Sequence, residues 1–123
     1  MREKIKKTLN ELKKIREVKA VFLFGSYATG KQLPFSDVDI CVVTEKIDEE
    51  IKAEITSLSS EKIDVCFFWD LPITIRYKVL KEGKPLLERD EKFLHEVRFK
   101  TVREYIEFRP ILRRFAERFK IKI

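Results

Sequence analysis

The stretch that decides the fold is residues 21–43, VFLFGSYATGKQLPFSDVDICVV. One apolar run ends at Gly25-Ser26, and after a loop a second apolar run begins through Asp37 and Asp39. Because side chains alternate between the two faces of a β-strand, acids two positions apart point the same way. Two such carboxylates at the edge of an apolar strand repel each other and lose hydration, which costs free energy. A cation that offsets this cost is expected, and a divalent metal ion is the first candidate.

The segments on either side predict an α/β (α+β) protein with a small mixed β-sheet flanked by helices. The loop over 30–36 turns the chain back, which makes the first two strands antiparallel. A helix of crossover length separates the second and third strands, which makes those strands parallel. Apolar periodicity and Gly, Pro and Ser breaks predict helices at 1–17, 47–58 and 71–82, a helical turn at 26–29, strands at 20–24, 37–44 and 62–69, and an edge strand at 85–87.

A third acid completes the pattern. Asp64 begins the third strand, and in a parallel pair it falls close to Asp37 and Asp39. Asp70 is a competing acid, but its place before Pro72 is typical of a helix cap. Carboxylate oxygens suit Mg²⁺ or Mn²⁺, and two such ions can clamp the attacking and leaving oxygens of a phosphoryl displacement.

The Gly25-Ser26 turn falls at the same edge of the sheet as these acids. Gly25 has no side chain to block a close approach, and the backbone N–H groups of the turn can face phosphate oxygens. The Ser26 hydroxyl can donate a hydrogen bond to one of them. This edge therefore predicts a site for a metal-bound nucleoside triphosphate.

The C-terminal part predicts one long amphipathic helix that Asp90 caps, with Pro110 producing either a kink or two abutting helices. Its apolar stripe either covers the protein's own sheet or forms a partner-binding face, and we expect own packing through Phe108 and partner contact beyond Pro110. A basic cluster follows, which suits an acidic partner surface or an RNA backbone. The stripe is Leu94, Val97, Thr101, Tyr105, Phe108, Leu112, Phe115 and Phe119, and the basic cluster is Arg109, Arg113, Arg114, Arg118, Lys120 and Lys122.

Composition limits the class of protein. The 123 residues carry 44% hydrophobic and 39% charged side chains with a net charge of +6, as in a globular domain that can bind nucleic acid, a nucleotide or an acidic partner. No apolar run approaches the roughly 20 residues that span a bilayer, and no signal-peptide pattern is present, so a cytoplasmic protein is expected. The Lys/Glu-rich, amide-poor balance favours a thermophilic source. Cys41 and Cys66 are expected as buried free thiols, with a disulfide as the alternative if their strands are neighbours.

Gly25-Ser26, ten intervening residues and then Asp37-Val38-Asp39 resemble the GS…DxD signature of the polymerase-β-like nucleotidyltransferases. Without that turn, solvated acids at a strand entry would be the simpler interpretation. The short chain resembles the minimal branch of the family. The segment 71–90, LPITIRYKVLKEGKPLLERD, and VREYIEF at 102–108 resemble the antitoxin subunits of HEPN/minimal-nucleotidyltransferase toxin–antitoxin pairs.

This resemblance implies a role for each residue of the signature. Asp37 and Asp39 bind the catalytic and nucleotide-associated Mg²⁺ ions, while Asp64 completes the catalytic metal site and helps to deprotonate the acceptor hydroxyl. Gly25 and Ser26 hold the β- and γ-phosphates of ATP. The hydroxyl attacks the α-phosphorus and pyrophosphate leaves.

The resemblance also implies a partner, a HEPN ribonuclease toxin that is silenced when one of its tyrosines is adenylylated. The family often carries Arg where this chain has Thr29, and Lys31 is the candidate that reaches the same phosphates. We expect a single domain over 1–123, with a catalytic core at 1–89 and a helical segment at 90–123. The alternatives are an antitoxin that neutralises its partner by docking alone, and a nucleotidyltransferase with a small-molecule or RNA acceptor.

Overall fold

The computed structural model describes residues 2–31 and 37–122, so most of the loop expected over 30–36 lies outside the described residues. Helices and strands alternate along the chain, as the apolar periodicity predicted. The elements are α1 (Arg2–Lys13), β1 (Val18–Phe24), α2 (Ser26–Thr29), β2 (Val38–Thr44), α3 (Glu49–Thr56), β3 (Ile63–Phe67), α4 (Ile73–Glu82), β4 (Lys84–Glu88) and α5 (Glu91–Arg118).

The four strands form one mixed sheet in the order β3-β2-β1-β4. Strand β1 is antiparallel to both β2 and β4, whereas β2 and β3 are parallel. Both predicted pairings are therefore confirmed. The parallel pair follows from α3, which carries the chain back to the end of the sheet at which β2 began.

Each face of the sheet has its own core. On one face Val38, Ile40 and Val42 pack with residues of α1 and α3, including Leu12 and Ile55. On the other face the buried side chains belong to the sheet, α4, α5 and the segment after β3, and they are Ala20, Phe22, Cys41, Val43, Phe68, Val79, Leu94 and Val97. We call this second cluster the α4/α5 core. Asp39 lies between Val38 and Ile40 in β2, so it belongs to the face that α4 and α5 cover.

Some element ends differ from the prediction. The first helix ends at Lys13, although Ile15 beyond it is buried. The third strand ends at Phe67, and residues Phe68–Asp70 form a 3₁₀ turn instead of continuing it. That turn buries Phe68 completely in the α4/α5 core, and the Trp69 Nε1–H donates to the Thr44 carbonyl oxygen at 3.0 Å. The predicted strand end was wrong because tertiary burial outweighed the local β-propensity of three aromatic residues.

Helix α5 is one continuous helix that contains Pro110, so the two-helix alternative is wrong. Asp90 caps it as predicted, since its Oδ1 accepts the backbone N–H of Phe93 at 3.0 Å. In the first half Leu94 and Val97 pack in the α4/α5 core, and Thr101 is also buried. No helix in the described ranges is long and apolar enough to cross a membrane.

Helices α4 and α5 contact each other directly. The rings of Tyr77 and Tyr105 stack with centroids 3.9 Å apart and planes 3° from parallel. The Arg76 guanidinium lies 3.4 Å from the Glu104 carboxylate. These contacts fix one side of α4 against α5.

Cys41 and Cys66 lie directly opposite each other in the parallel pair. Both thiols are nevertheless free, as first expected, and the disulfide alternative is not realised. Burial raises the pKa of both thiols, and that of Cys66 reaches about 12.

Candidate active site at the acidic edge of the sheet

The parallel pairing of β2 and β3 brings two of the three predicted acids side by side. Asp39 in β2 is the register partner of Asp64 in β3. Asp37 immediately precedes β2 and is exposed, as is Asp64, whereas Asp39 is partly buried. We call the end of the sheet that carries these three residues the acidic edge.

The Gly-Ser turn lies against this edge. Phe24, the last residue of β1, pairs with Asp39, so the next residue, Gly25, passes beside the Asp39 side chain. A Cβ at Gly25 would lie 2.7 Å from Asp39 Oδ2. Gly25 also has φ 76° and ψ −151°, a backbone conformation that is essentially restricted to glycine. The glycine is therefore required both by its own backbone and by the carboxylate that it faces.

The electrostatics of the acidic edge favour a cation. Partial burial raises the pKa of Asp39, and the negative charges of Asp64 and Asp37 raise it further. The Cys66 thiol lies 3.6 Å from Asp64 Oδ2 as a weak hydrogen-bond donor. Asp39 therefore shares this edge with two further negative charges.

The donor set fits a hard divalent cation. Within residues 2–31 and 37–122, no three His, Cys, Asp or Glu side chains converge closely enough to hold a metal ion by themselves. The paired carboxylates of Asp39 and Asp64 nevertheless suit Mg²⁺, which binds through one or two carboxylates and completes its shell with water and substrate phosphates. A divalent cation bound between these carboxylates offsets their mutual repulsion, which is one cause of the raised pKa of Asp39. The residues present therefore suit such an ion.

A cleft of about 580 Å³ opens beside the Gly-Ser turn, between that turn and α4. It contains Gly25, Ser26 and Lys31, the three residues that sequence analysis assigned to the phosphates. The Lys31 backbone N–H also donates to the Ser26 carbonyl oxygen at 2.9 Å, which closes the turn. The cleft is lined by Phe24, Gly25, Ser26, Ala28 and Lys31 on one side and by Ile75, Lys78, Val79 and Glu82 of α4 on the other.

The sequence pattern did not predict the α4 wall of this cleft. The spacing of 75, 78, 79 and 82 is that of one helical face, but it also fits a helix packed on any part of the sheet. The signal that was lacking is the position of β4 beside β1, which returns α4 over the end of β1. The side chain of Thr29, where the family often has Arg, lies outside the described part of the chain.

The competing acid Asp70 does not belong to this site. Its carboxylate pairs with Lys52 of α3, in contact with the Lys52 Nζ. The predicted capping role was wrong, because the residue that precedes α4 is Pro72 and no side chain caps this helix.

The second half of α5 forms a different kind of surface. We call residues 109–122, which are the end of α5 and the four residues that follow it, the distal segment. Four apolar side chains there are between 52% and 59% exposed, namely Ile111, Phe115, Phe119 and Ile121. The ring centroids of Phe115 and Phe119 lie 4.7 Å apart, so these two rings contact each other. Along the predicted stripe, Leu94, Val97 and Thr101 are buried and Tyr105 and Phe108 are partly buried, which agrees with the predicted own packing through Phe108. Phe99 and Ile106, which are about 60% exposed, lie outside that stripe. The six basic residues of the predicted cluster are all exposed, and they are Arg109, Arg113, Arg114, Arg118, Lys120 and Lys122.

Comparison with known proteins gives both a family and a fold. Residues 3–92 match the family model described as "Polymerase beta, Nucleotidyltransferase". A Methanocaldococcus jannaschii protein named "Putative protein adenylyltransferase" is 31% identical over 110 residues, covering 76% of this chain and 88% of that protein.

Three solved structures have a similar fold. A toxin–antitoxin structure with AMP-PNP gives a TM-score of 0.72 at 23% identity, covering 96% of this chain and 97% of that chain. A complex of tri-AMPylated Shewanella oneidensis HEPN toxin with MNT antitoxin gives 0.69 at 20% identity, covering 96% and 94%. The MntA–HepT toxin–antitoxin structure gives 0.73 at 17% identity, covering 98% and 99%.

Proposed function

Because the chain belongs to the polymerase beta nucleotidyltransferase family, we propose that it moves AMP from ATP to a tyrosine hydroxyl of a HEPN-type toxin and so acts as an antitoxin. The observation that carries this proposal is the placement of three residues side by side at the acidic edge. Asp39 has Asp64 as its register partner on one side and Gly25 against its carboxylate on the other.

Asp39 and Asp64 are the residues that would hold Mg²⁺, with Asp37 adding charge and a further carboxylate at the exposed start of β2. Two ions are proposed, with Mn²⁺ as a substitute. When bound, the metal supplies charge neutralisation for the triphosphate and for the attacking oxygen. Gly25 allows the close approach of the phosphate chain, and Ser26 and Lys31 supply polar and positive groups in the adjoining cleft.

In the proposed reaction the tyrosine oxygen forms a bond to the α-phosphorus, and the bond from that phosphorus to the oxygen bridging the β-phosphorus breaks. Pyrophosphate leaves with the bonding electron pair. Asp64 is exposed on β3, so it can accept the hydroxyl proton of an incoming protein side chain and release it to water. The acceptor reaches this site from solvent, since β3 is the outer strand of the sheet.

The partner is proposed to bind through the distal segment of α5. Two features support this role: exposed apolar side chains next to each other, and a high density of arginine, which is enriched in protein interfaces. In this proposal residues 1–89 carry the chemistry and residues 90–123 recognise the acceptor protein. An RNA backbone would also suit the basic residues, but the adjacent apolar side chains favour a protein.

The test is transfer in a defined system. The protein is incubated with ATP, Mg²⁺ and a purified HEPN-type protein encoded next to it. Mass spectrometry of the intact HEPN-type protein and of its peptides then measures any added mass and locates it. The expected result is a mass increase of one or more AMP groups on a tyrosine, together with loss of ribonuclease activity. An unmodified toxin that is still silenced would contradict the proposed chemistry.

The exposed apolar surface of α5 favours a second candidate, an antitoxin that acts by docking alone. The same experiment separates the two, because docking silences the toxin without ATP and without a mass change. A modified RNA or small molecule with an unmodified toxin would instead identify a different acceptor.

A further inference from the structure

The cleft beside the Gly-Ser turn has a second wall, formed by α4, which the GS…DxD signature does not include. We propose that Lys78 of α4 binds the β- and γ-phosphates of the nucleotide and stabilises pyrophosphate as it leaves. This inference rests on the proposed function, since it assigns a further residue to the same nucleotide site. Lys78 lines the cleft opposite Ser26 and Lys31.

The backbone of Lys78 is held rigidly. Its neighbour Val79 is 1% exposed and packs in the α4/α5 core. At the end of α4, a Cβ on Gly83 would lie 2.3 Å from the Val79 carbonyl oxygen and 3.4 Å from the Phe22 Cβ, so the chain passes close to β1 there. A lysine at this position presents its ammonium group from a fixed wall, and only its own side chain has to be ordered on binding.

The charge of Lys78 is available to a ligand. None of the ion pairs between described residues includes Lys78 or Lys31. The other cations of α4 are directed elsewhere: Arg76 pairs with Glu104 of α5, and the Lys81 Nζ lies 5.9 Å from the centroid of the Tyr77 ring. Lys78 is therefore the α4 cation that faces the cleft.

The order of the strands indicates which phosphates Lys78 meets. Going across the sheet, Asp64 on β3 and Asp39 on β2 come first, then Gly25 at the end of β1, and then the cleft under α4. A nucleotide whose α-phosphate lies at the acids and whose chain crosses the Gly-Ser turn has its terminal phosphates in that cleft. The charge on these phosphates grows as the α–β bond breaks, so a cation there stabilises the leaving group.

Calorimetric titration of Lys78→Met with α,β-methylene-ATP and with AMP, each in Mg²⁺, tests the assignment. Loss of a charge-assisted contact is expected to weaken binding of the triphosphate analogue about tenfold and binding of AMP less than about twofold. Lys78→Arg keeps the charge and is expected to recover most of the affinity. Lys81→Met removes the same charge one turn further along α4, outside the cleft, and serves as the matched control.

Four outcomes would overturn the inference. If Lys78→Met binds the analogue as tightly as the wild type, and the wild type transfers AMP, then Lys78 does not bind the phosphates but the proposed function is still supported. Equal weakening of AMP and analogue binding would place Lys78 at the base or sugar instead. Equal effects of Lys78→Met and Lys81→Met would mean a general charge effect. Absence of both nucleotide binding and transfer in the wild-type protein would overturn the proposed function together with the inference.

Discussion

The acidic edge and the distal segment of α5 are opposite in character. At the acidic edge, charges of one sign are held by a buried, hydrogen-bonded sheet, and a glycine lies within contact distance of a carboxylate. In the distal segment, apolar and basic side chains are exposed to solvent at the end of α5 and just beyond it. The first region is built before any ligand arrives, whereas the second still has apolar surface to bury. This difference suits the roles that we propose for them, a rigid site for the nucleotide and a surface for an incoming protein.

The largest expected effect separates chemistry from docking. Asp39→Asn or Asp64→Asn should lower the rate of AMP transfer about 10³-fold or more, because each removes a charge that positions the metal-bound nucleotide. Toxin binding, measured by calorimetry, should stay within about twofold because the distal segment is untouched. Asp70→Asn is the matched control, since it removes an acid from a surface ion pair and should leave transfer unchanged. Full transfer by either site variant would remove that acid from the proposed mechanism.

The variant Phe115→Asp should have the opposite effect, because it should weaken toxin binding and leave the nucleotide site intact. A charge in the middle of the exposed apolar surface should weaken toxin binding about 100-fold, while nucleotide binding stays the same. Ile47→Asp makes the same kind of change at an apolar residue that is 70% exposed and precedes α3, so it controls for lost surface hydrophobicity. Equal binding by the two variants would show that the toxin docks elsewhere.

Substitution of two glycines tests whether the contact between Gly25 and Asp39 matters at the acidic edge. Gly25→Ala should lower transfer about tenfold or more and destabilise the protein by about 1–3 kcal/mol, since its backbone conformation is restricted to glycine and its Cβ would meet Asp39. Gly30 also has positive φ, but a Cβ there has nothing within 4 Å. Gly30→Ala should therefore cost about 1 kcal/mol and leave transfer nearly intact. Activity assays and urea unfolding compare the two, and equal loss of activity would mean that contact with Asp39 is unimportant.

The smallest expected effect is the change that Asp39→Asn makes in the free energy of unfolding of the metal-free protein. Because its pKa is raised in the folded state, Asp39 binds a proton more tightly there than in the unfolded chain, so its contribution to stability falls as pH rises. The loss begins near the ordinary value of 3.8 and is complete above the raised pKa. In chelator at pH 7, Asp39→Asn should thus be more stable than wild type by less than about 1 kcal/mol, given the screening of a partly exposed group.

Urea unfolding of both proteins at several pH values measures this difference. The gap should close below pH 3.8, where the carboxyl group is protonated in both states. Added Mg²⁺ should stabilise the wild type and not the variant. A variant less stable than wild type at pH 7 would contradict the repulsion inferred at the acidic edge.

The predicted arrangement of the sheet held because local signals agreed there. Alternating apolar residues fixed which face of β2 carries Asp39, and the length of α3 fixed the parallel pairing that sets Asp64 beside it. The same rules could not predict the α4 wall of the cleft. Lys78 is one of many exposed lysines in the sequence, and only the return of β4 to the side of β1 gives it a distinct position.

Where prediction failed, long-range burial decided the structure. Phe68 is completely buried in the α4/α5 core, which ended the third strand early. At Pro110 only the two-helix alternative was wrong: a proline removes one backbone hydrogen bond, and the hydrogen bonds of the turns on either side keep α5 a single helix. In each case the local pattern was correctly recognised, but packing or helix cooperativity outweighed it.

The stacked rings of Tyr77 and Tyr105 have a mechanical consequence. Tyr77 lies on the same helix as Lys78 and Val79, and Tyr105 lies on the helix whose continuation carries the distal segment. The stack and the neighbouring Arg76–Glu104 pair join the two helices at adjacent positions, and α5 cannot slide along α4 without breaking both contacts. A partner that binds the distal segment as proposed is therefore linked, through α5 and these two contacts, to the helix that forms one wall of the cleft.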